Sequence, residues 1–128
     1  MLRQGPLSPF LHGLVEYAAG ILCVAAPFLF GFESDAATAA SIVIGIVILI
    51  VAASSEGPTG LAKVIPVGIH VVLDFAVVVV LIAAPFLFGF SDEGAPTAFF
   101  IVVGVAHLLV TIATRFLPAR EARSGRAV

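Results

Sequence analysis

Charged residues are scarce in this sequence of 128 residues: Asp, Glu, Lys and Arg together make up 11%, whereas hydrophobic residues make up 61%. A soluble globular domain carries about 25% charged residues, so the composition excludes that class, and it excludes a disordered chain as well. The formal net charge is −2, which lacks the basic excess typical of nucleic-acid-binding proteins. We therefore expect an integral membrane protein that contacts the lipid bilayer and binds no nucleic acid.

Several functional motifs are also lacking. Tryptophan is absent, and the single cysteine, Cys23, has no second cysteine with which to form a disulfide within the chain. The sequence contains no glycine-rich phosphate loop, nucleophile elbow or His-Glu-x-x-His motif. We therefore predict a protein that is not an enzyme, with no catalytic residues and no cofactor; a subunit of a membrane enzyme is the least favoured alternative.

Long apolar runs dominate what is present. Each of four runs is long enough to cross a membrane as a helix, which takes about 20 residues. They cover residues of about 10–30, 36–54, 66–88 and 96–116, with turn-forming residues between them. The alternation of apolar and polar residues that marks a membrane strand is missing. The prediction is an all-α membrane protein, a single membrane domain with four transmembrane helices and a cytosolic tail at 117–128.

The basic residues indicate the orientation of the chain. They lie before the first run, between the second and third, and after the fourth: Arg3, Lys63, Arg115, Arg120, Arg123 and Arg126. The two other loops carry acidic residues and no basic residue. By the positive-inside rule, we expect a multi-pass protein of the cell (inner or plasma) membrane with both termini in the cytosol.

The most specific feature is an internal duplication. The segment Ala-Pro-Phe-Leu-Phe-Gly-Phe occurs at 26–32 and again at 84–90, an offset of 58 residues. In the following apolar run, residues 42–46 match residues 101–105 at an offset of 59. A seven-residue identity with matching flanks indicates duplication rather than chance similarity between apolar segments.

The duplication predicts the topology. We assign repeat 1 to residues 8–57 and repeat 2 to residues 64–116, each containing two helices. A two-helix repeat begins and ends on the same side of the membrane, so the two copies have parallel topology. The predicted fold is a four-helix bundle made of two tandem helical hairpins, and inverted-repeat transport is disfavoured.

The repeated segment resembles the SPW-repeat family of small bacterial integral membrane proteins, which is named for a Ser-Pro-Trp motif at the end of a transmembrane helix. The resemblance covers residues of about 10–116. Both copies depart from the name, with Ala26 and Ala84 in place of Ser and with Phe28 and Phe86 in place of Trp. The resemblance implies the hairpin fold and the membrane location, and it implies no biochemical activity.

A proline and a glycine recur near the outer end of the first helix of each copy. Proline removes a backbone hydrogen bond from a helix, and glycine suits a helix terminus. We therefore interpret Pro27, Gly31, Pro85 and Gly89 as structural residues.

Small residues recur along the second run. Ala37, Ser41 and Gly45 are four residues apart, which lets two helix backbones approach closely. We predict a packing seam on this face, within the chain or between chains.

Ionisable residues inside the predicted helices form the candidate functional site. His12 and Glu16 are four residues apart, as are His70 and Asp74, so each pair lies on one face of its helix. His107 lies at a comparable depth on the fourth helix. Because an ionisable residue within the membrane is a functional-site hypothesis by default, we single out these five residues as one polar layer.

Three uses of this layer are open. It can hydrogen-bond helices together in a protein of structural or interaction type, packed as a homo-oligomer or against a larger membrane partner. It can serve a proton- or cation-linked protein, in transport, pH sensing or stress response. Two histidines and two carboxylates also match a set of ligands for a divalent metal. We favour the first use and assign no metal ligand from the sequence.

Overall fold

The computed structural model describes residues 5–114 and has four α-helices. They are α1 (Pro9–Leu29), α2 (Asp35–Ser54), α3 (Val67–Leu87) and α4 (Gly94–Ala113). Each has 20 or 21 residues and is apolar enough to cross a membrane, at a length of about 30 Å. The prediction of an all-α membrane protein is therefore confirmed. The predicted tail and five of the six basic residues, all except Lys63, lie outside the described residues.

The helix starts follow from local capping. Ser8 precedes α1 and accepts a hydrogen bond from the backbone N–H of Leu11 at 3.2 Å. Ser34 precedes α2 and accepts one from the N–H of Ala37 at 3.1 Å. Such side chains satisfy N–H groups that have no partner within the helix, a strong requirement in lipid.

The repeated segments end α1 and α3 in the same way. Gly31 and Gly89 have φ angles of +63° and +74°, in the left-handed region that favours glycine. The next residue in each copy donates its N–H back to the proline carbonyl, Phe32 to Pro27 at 3.0 Å and Phe90 to Pro85 at 2.9 Å. This is the Schellman arrangement, and it supports the structural interpretation of these prolines and glycines.

The seam of small residues on α2 lies within the chain and faces α1. A Cβ atom added at Gly45 would meet the Gly20 carbonyl oxygen at 2.7 Å, which shows how closely the two backbones approach. Pro27 cannot donate to the carbonyl of Cys23 four residues earlier. The hydroxyl of Ser41 donates to that carbonyl instead, at 2.5 Å.

The two hairpins run parallel to each other. The segment before α1 lies against the end of α4, where the Leu7 N–H donates to the Ala113 carbonyl at 2.9 Å. The segment before α3 lies against the end of α2, where the Glu56 N–H donates to the Ile65 carbonyl at 2.8 Å. Both repeats therefore begin and end at the same end of the bundle. Packing is extensive within each hairpin and sparser between them.

The opposite end of the bundle is closed by apolar and aromatic packing. Phe90 and Phe100 are both buried, with ring centroids 5.2 Å apart, and Phe99 packs on Phe32 and Phe100. The Glu93 carboxylate joins the two loops there by accepting from the backbone N–H groups at positions 33 and 34, at 2.7 and 2.9 Å.

The outer faces of the helices are strongly apolar. Ile50, Val79 and Val102 are 57%, 66% and 64% exposed, and many other large apolar side chains are also exposed. A soluble monomer rarely exposes so much contiguous apolar surface. The protein is therefore a small multi-pass membrane protein whose helices contact the lipid bilayer.

Candidate functional site

All five residues of the predicted polar layer meet in one cluster. His12 and Glu16 come from α1, His70 and Asp74 from α3, and His107 from α4. Their exposed fractions are only 2–7%. We call these five residues the polar cluster. It lies in the third of the bundle near the start of α1 and α3.

Two histidines and two carboxylates form a ring at the centre of the polar cluster. Glu16 Oε1 lies 3.2 Å from His12 Nε2 and 3.0 Å from His70 Nε2. Asp74 Oδ2 lies 3.2 Å from each of the same two nitrogens. Nitrogen and oxygen atoms therefore alternate around the ring, and each repeat supplies one of each.

His107 breaks the symmetry of the cluster. Its Nε2 lies 3.5 Å from Asp74 Oδ1, the carboxylate oxygen outside the ring. At the offset of 59 residues that relates the second helices, the matching residue of repeat 1 is the buried Ile48. The carboxylate of repeat 2 thus has an extra histidine neighbour that the symmetry of the repeats does not supply.

The sequence reasoning missed two residues that hold the histidines. Thr114 Oγ1 lies 2.8 Å from Nδ1 of His12, and Ser55 Oγ lies 2.6 Å from Nδ1 of His70. Both are buried, and each follows the last residue of a helix, α4 and α2 respectively. They match each other at the offset of 59 residues, which is the sequence signal that pairs them.

The direction of these two hydrogen bonds fixes how the histidines face the ring. The Ser55 hydroxyl donates to the Val51 carbonyl at 2.6 Å, and the Thr114 hydroxyl donates to the Val110 carbonyl at 2.5 Å. A hydroxyl has one proton, so each hydroxyl accepts from the imidazole, which must carry its proton on Nδ1. Both Nε2 atoms then point their lone pairs, or a second proton, at the carboxylates.

Some polar atoms of the cluster region lack a hydrogen bond. Within residues 5–114, Asp74 Oδ2, His107 Nε2 and Thr111 Oγ1 are buried with no hydrogen-bond partner. The Asp74 oxygen belongs to the ring and the other two atoms lie on α4. The Asp74 oxygen lies 3.2 Å from Nε2 of His12 and of His70, so protons on those two nitrogens or a bound cation can supply the positive charge that a buried carboxylate requires.

A cavity of about 270 Å³ reaches the polar cluster from the loop between α2 and α3. Its lining includes His12, Glu16 and His70, together with loop residues 56–60. Glu56, in this loop, is exposed. We call this cavity the vestibule; it connects one end of the bundle to three of the four ring residues.

The arrangement suits the binding of a cation. Two buried carboxylates need a compensating positive charge, which a bound cation supplies when the two imidazoles are neutral and which protons on their Nε2 atoms supply otherwise. The ligand atoms of His12, Glu16, His70 and Asp74 all lie within 4.8 Å of one another, which is the spacing of a possible metal site.

Comparison with known proteins identifies the family. No curated protein and no solved structure gives a significant match to this chain. The family model described as the SPW repeat domain matches residues 10–114, which include all four helices and the whole polar cluster. The resemblance found in the repeated proline and glycine segments is thereby confirmed, and the chain belongs to the SPW repeat family.

Proposed function

We propose that this protein is a non-enzymatic membrane protein that binds a cation in the polar cluster. One observation carries the proposal: the carboxylates of Glu16 and Asp74 are buried in one ring with the Nε2 atoms of His12 and His70, at 3.0–3.2 Å. Burying two carboxylates in the membrane is expensive unless positive charge accompanies them. A bound cation supplies that charge when the two Nε2 atoms carry no proton, and the vestibule supplies its route.

The vestibule supports binding from one end of the bundle. It contacts the polar cluster beside the α2–α3 loop, whereas Phe90 and Phe100 close the core towards the opposite end. A site open to one side only suits a protein that senses or stores a cation, or one state of a transport cycle. Uptake by a single bundle would require the aromatic end to open.

A second candidate function is structural, with the polar cluster acting only as a link between hairpins. The sparse packing between the two hairpins favours it, because the ring joins α1 to α3 across that interface. In this case the protein would act as a scaffold that packs as a homo-oligomer or against a larger membrane partner. The two candidates differ in whether a cation stabilises the protein.

The test is thermal unfolding in detergent across a panel of cations: Na⁺, K⁺, Mg²⁺, Mn²⁺, Co²⁺ and Zn²⁺. Cation binding predicts a stabilisation by one or more of them that grows with the logarithm of the cation concentration and reaches about 2.7 kcal/mol at 100 times the dissociation constant. The Glu16→Gln, Asp74→Asn double variant should remain folded and lose this response. The matched control is Glu33→Gln with Asp92→Asn, which removes two exposed carboxylates from the other end and should keep the response.

A flat response of the folded wild type to every cation would contradict cation binding and leave the structural candidate. The same samples give the oligomeric state by light scattering. If the mass of the protein assembly changes with the cation, the cation links copies of the chain. If the mass is constant, the cation acts within one chain.

We also propose that the protein lies in the cell membrane with both termini and the α2–α3 loop in the cytosol. The positions of the basic residues support this orientation, including Lys63 in that loop. Single cysteines at Lys63 and Asp92, in a Cys23→Ala background, test it with a membrane-impermeant maleimide. Asp92→Cys should be labelled in intact cells, and Lys63→Cys only after the membrane is opened; the reverse pattern would invert the orientation.

A further inference from the structure

The ring of the polar cluster has the dimensions of a four-ligand metal site. Its four neighbouring nitrogen–oxygen distances are 3.0–3.2 Å. Zinc bonds of about 2.0–2.2 Å in a tetrahedron place neighbouring ligand atoms about 3.4 Å apart. These four distances would lengthen by only a few tenths of an ångström to hold such an ion, and the two diagonals of the ring, which are at most 4.8 Å, would shorten towards the same value.

The histidines are held in the orientation that coordination needs. Ser55 and Thr114 accept the Nδ1–H protons of His70 and His12, so Nε2 of each ring faces the carboxylates. A metal-bound histidine usually donates its other ring N–H to an oxygen in this way, which fixes the tautomer and the ring plane. Here each oxygen comes from the repeat that does not contain the histidine.

The carboxylate of Asp74 supplies an independent observation. Its Oδ2 is buried and makes no well-aligned hydrogen bond within residues 5–114, although it lies 3.2 Å from Nε2 of His12 and of His70. Its other oxygen, Oδ1, lies 3.5 Å from Nε2 of His107. One oxygen is thus positioned for an ion, and the other is positioned for a partner outside the ring.

The chemistry of the ligand atoms selects the class of ion. Imidazole nitrogen suits Zn²⁺, Fe²⁺, Ni²⁺ and Cu²⁺, whereas Ca²⁺ takes six to eight oxygen ligands and Mg²⁺ prefers an octahedron of oxygens. Histidines that bind a metal are neutral, so two ionised carboxylates then balance a charge of +2, which leaves the buried ring neutral. Na⁺ and K⁺ would leave it with a net negative charge.

We propose that the polar cluster is a binding site for a divalent first-row transition metal ion of the Zn²⁺ type. Its ligands are His12 Nε2, Glu16 Oε1, His70 Nε2 and Asp74 Oδ2. This inference rests on the proposed cation-binding function and names the ion. The ion reaches the ring through the vestibule, and His107 contacts the ligand carboxylate from outside.

The experiment uses full-length, tag-free protein in detergent, stripped with a chelator and titrated with Zn²⁺ in competition with a chromophoric chelator. We expect one Zn²⁺ per chain. Asp74→Asn keeps the shape of the side chain and removes its charge, and it should lower the affinity by more than about 100-fold, beyond the range seen when outer partners of a metal site are changed. Asp92→Asn, the same substitution at an exposed loop position, should leave the affinity unchanged.

Titration with Co²⁺ gives a readout that does not depend on any variant. Co²⁺ in the proposed site should give the intense visible absorption of a four-coordinate ion, and X-ray absorption should show two imidazole ligands at about 2.0–2.1 Å. If Asp74→Asn fails to fold, these wild-type spectra still decide the question. A six-coordinate spectrum or the absence of imidazole ligands would overturn the assignment.

The outcomes separate this inference from the proposed function. If Na⁺, K⁺ or Mg²⁺ stabilises the protein and Zn²⁺ and Co²⁺ do not bind, the transition-metal site is wrong and cation binding stands. If no cation binds, both are wrong. Binding of Zn²⁺ with unchanged affinity in folded Asp74→Asn would place the ion elsewhere and overturn the site.

Discussion

Oγ1 of Thr114 lies 2.8 Å from Nδ1 of His12, although 102 residues separate the two in sequence. Thr114→Val keeps the volume of the side chain and removes the acceptor, leaving a buried imidazole N–H without this partner. We expect a loss of about 1–3 kcal/mol in the free energy of unfolding, measured by thermal unfolding in detergent.

The matched control is Thr111→Val, three residues earlier on α4. The Thr111 hydroxyl is buried and has no hydrogen-bond partner within residues 5–114, so replacing it with a methyl group should be neutral or stabilising. Equal losses of unfolding free energy in the two variants would show that the bond from His12 to Thr114 does not contribute to stability.

The Ser41 hydroxyl donates to the Cys23 carbonyl that Pro27 leaves without its helical partner. Ser41→Ala should therefore destabilise α1 against α2, by about 1 kcal/mol, the usual size of a hydrogen bond between membrane helices. Pro27→Ala restores an N–H that can donate to the same carbonyl. In the Pro27→Ala background, Ser41→Ala should cost much less, and a double-mutant cycle in an SDS titration measures the difference. Additive effects would mean that the two residues do not share this carbonyl.

Gly31 and Gly89 have positive φ angles and end α1 and α3. Alanine at either position would be strained in the left-handed region, with an expected loss of about 1–2 kcal/mol per substitution. Gly94, the first residue of α4, has open space around its Cα and no such angle, so Gly94→Ala should change the unfolding midpoint little. If Gly31→Ala and Gly94→Ala behaved alike, the left-handed turn would not contribute to stability.

His107 contacts the outer oxygen of Asp74 and is not among the four proposed ligands. His107→Gln should leave the stoichiometry at one Zn²⁺ per chain and lower the affinity by about 10–100-fold, as outer partners of metal ligands do. The chelator competition assay measures both values. If the His107→Gln variant no longer bound one Zn²⁺ per chain, His107 would be a ligand. If the variant bound Zn²⁺ with unchanged affinity, His107 would have no role in the site.

Much of the fold could be predicted from the sequence because hydropathy and the duplication can be read without knowing how the helices pack. The lengths of the apolar runs determine four spans, and the 58-residue offset determines that the hairpins run parallel. The spacing of His12 to Glu16 and of His70 to Asp74 placed each pair on one helix face. It could not give the ring itself, since that depends on how α1 and α3 approach each other.

Ser55 and Thr114 show where the prediction from sequence stopped. Each is a short polar residue at the end of a helix, where a hydroxyl usually bonds back to its own turn, as both do. Their second bond, to a histidine, comes from the packing of the opposite hairpin, which no local pattern encodes. The shared offset of 59 residues indicated that they are equivalent without indicating what they touch.

The two hydroxyl–histidine bonds each join one repeat to the other, which has a consequence for a chain that contains only one repeat. His12 of repeat 1 depends on Thr114 of repeat 2, and His70 depends on Ser55, so a single hairpin could complete these contacts only by pairing with its own copy. Such a dimer would have identical halves. A histidine placed beside the carboxylate of one half would therefore have its copy beside the carboxylate of the other half. Joining the halves in one chain permits Ile48 on one side and His107 on the other. Covalent linkage therefore allows the two carboxylates to have different neighbours.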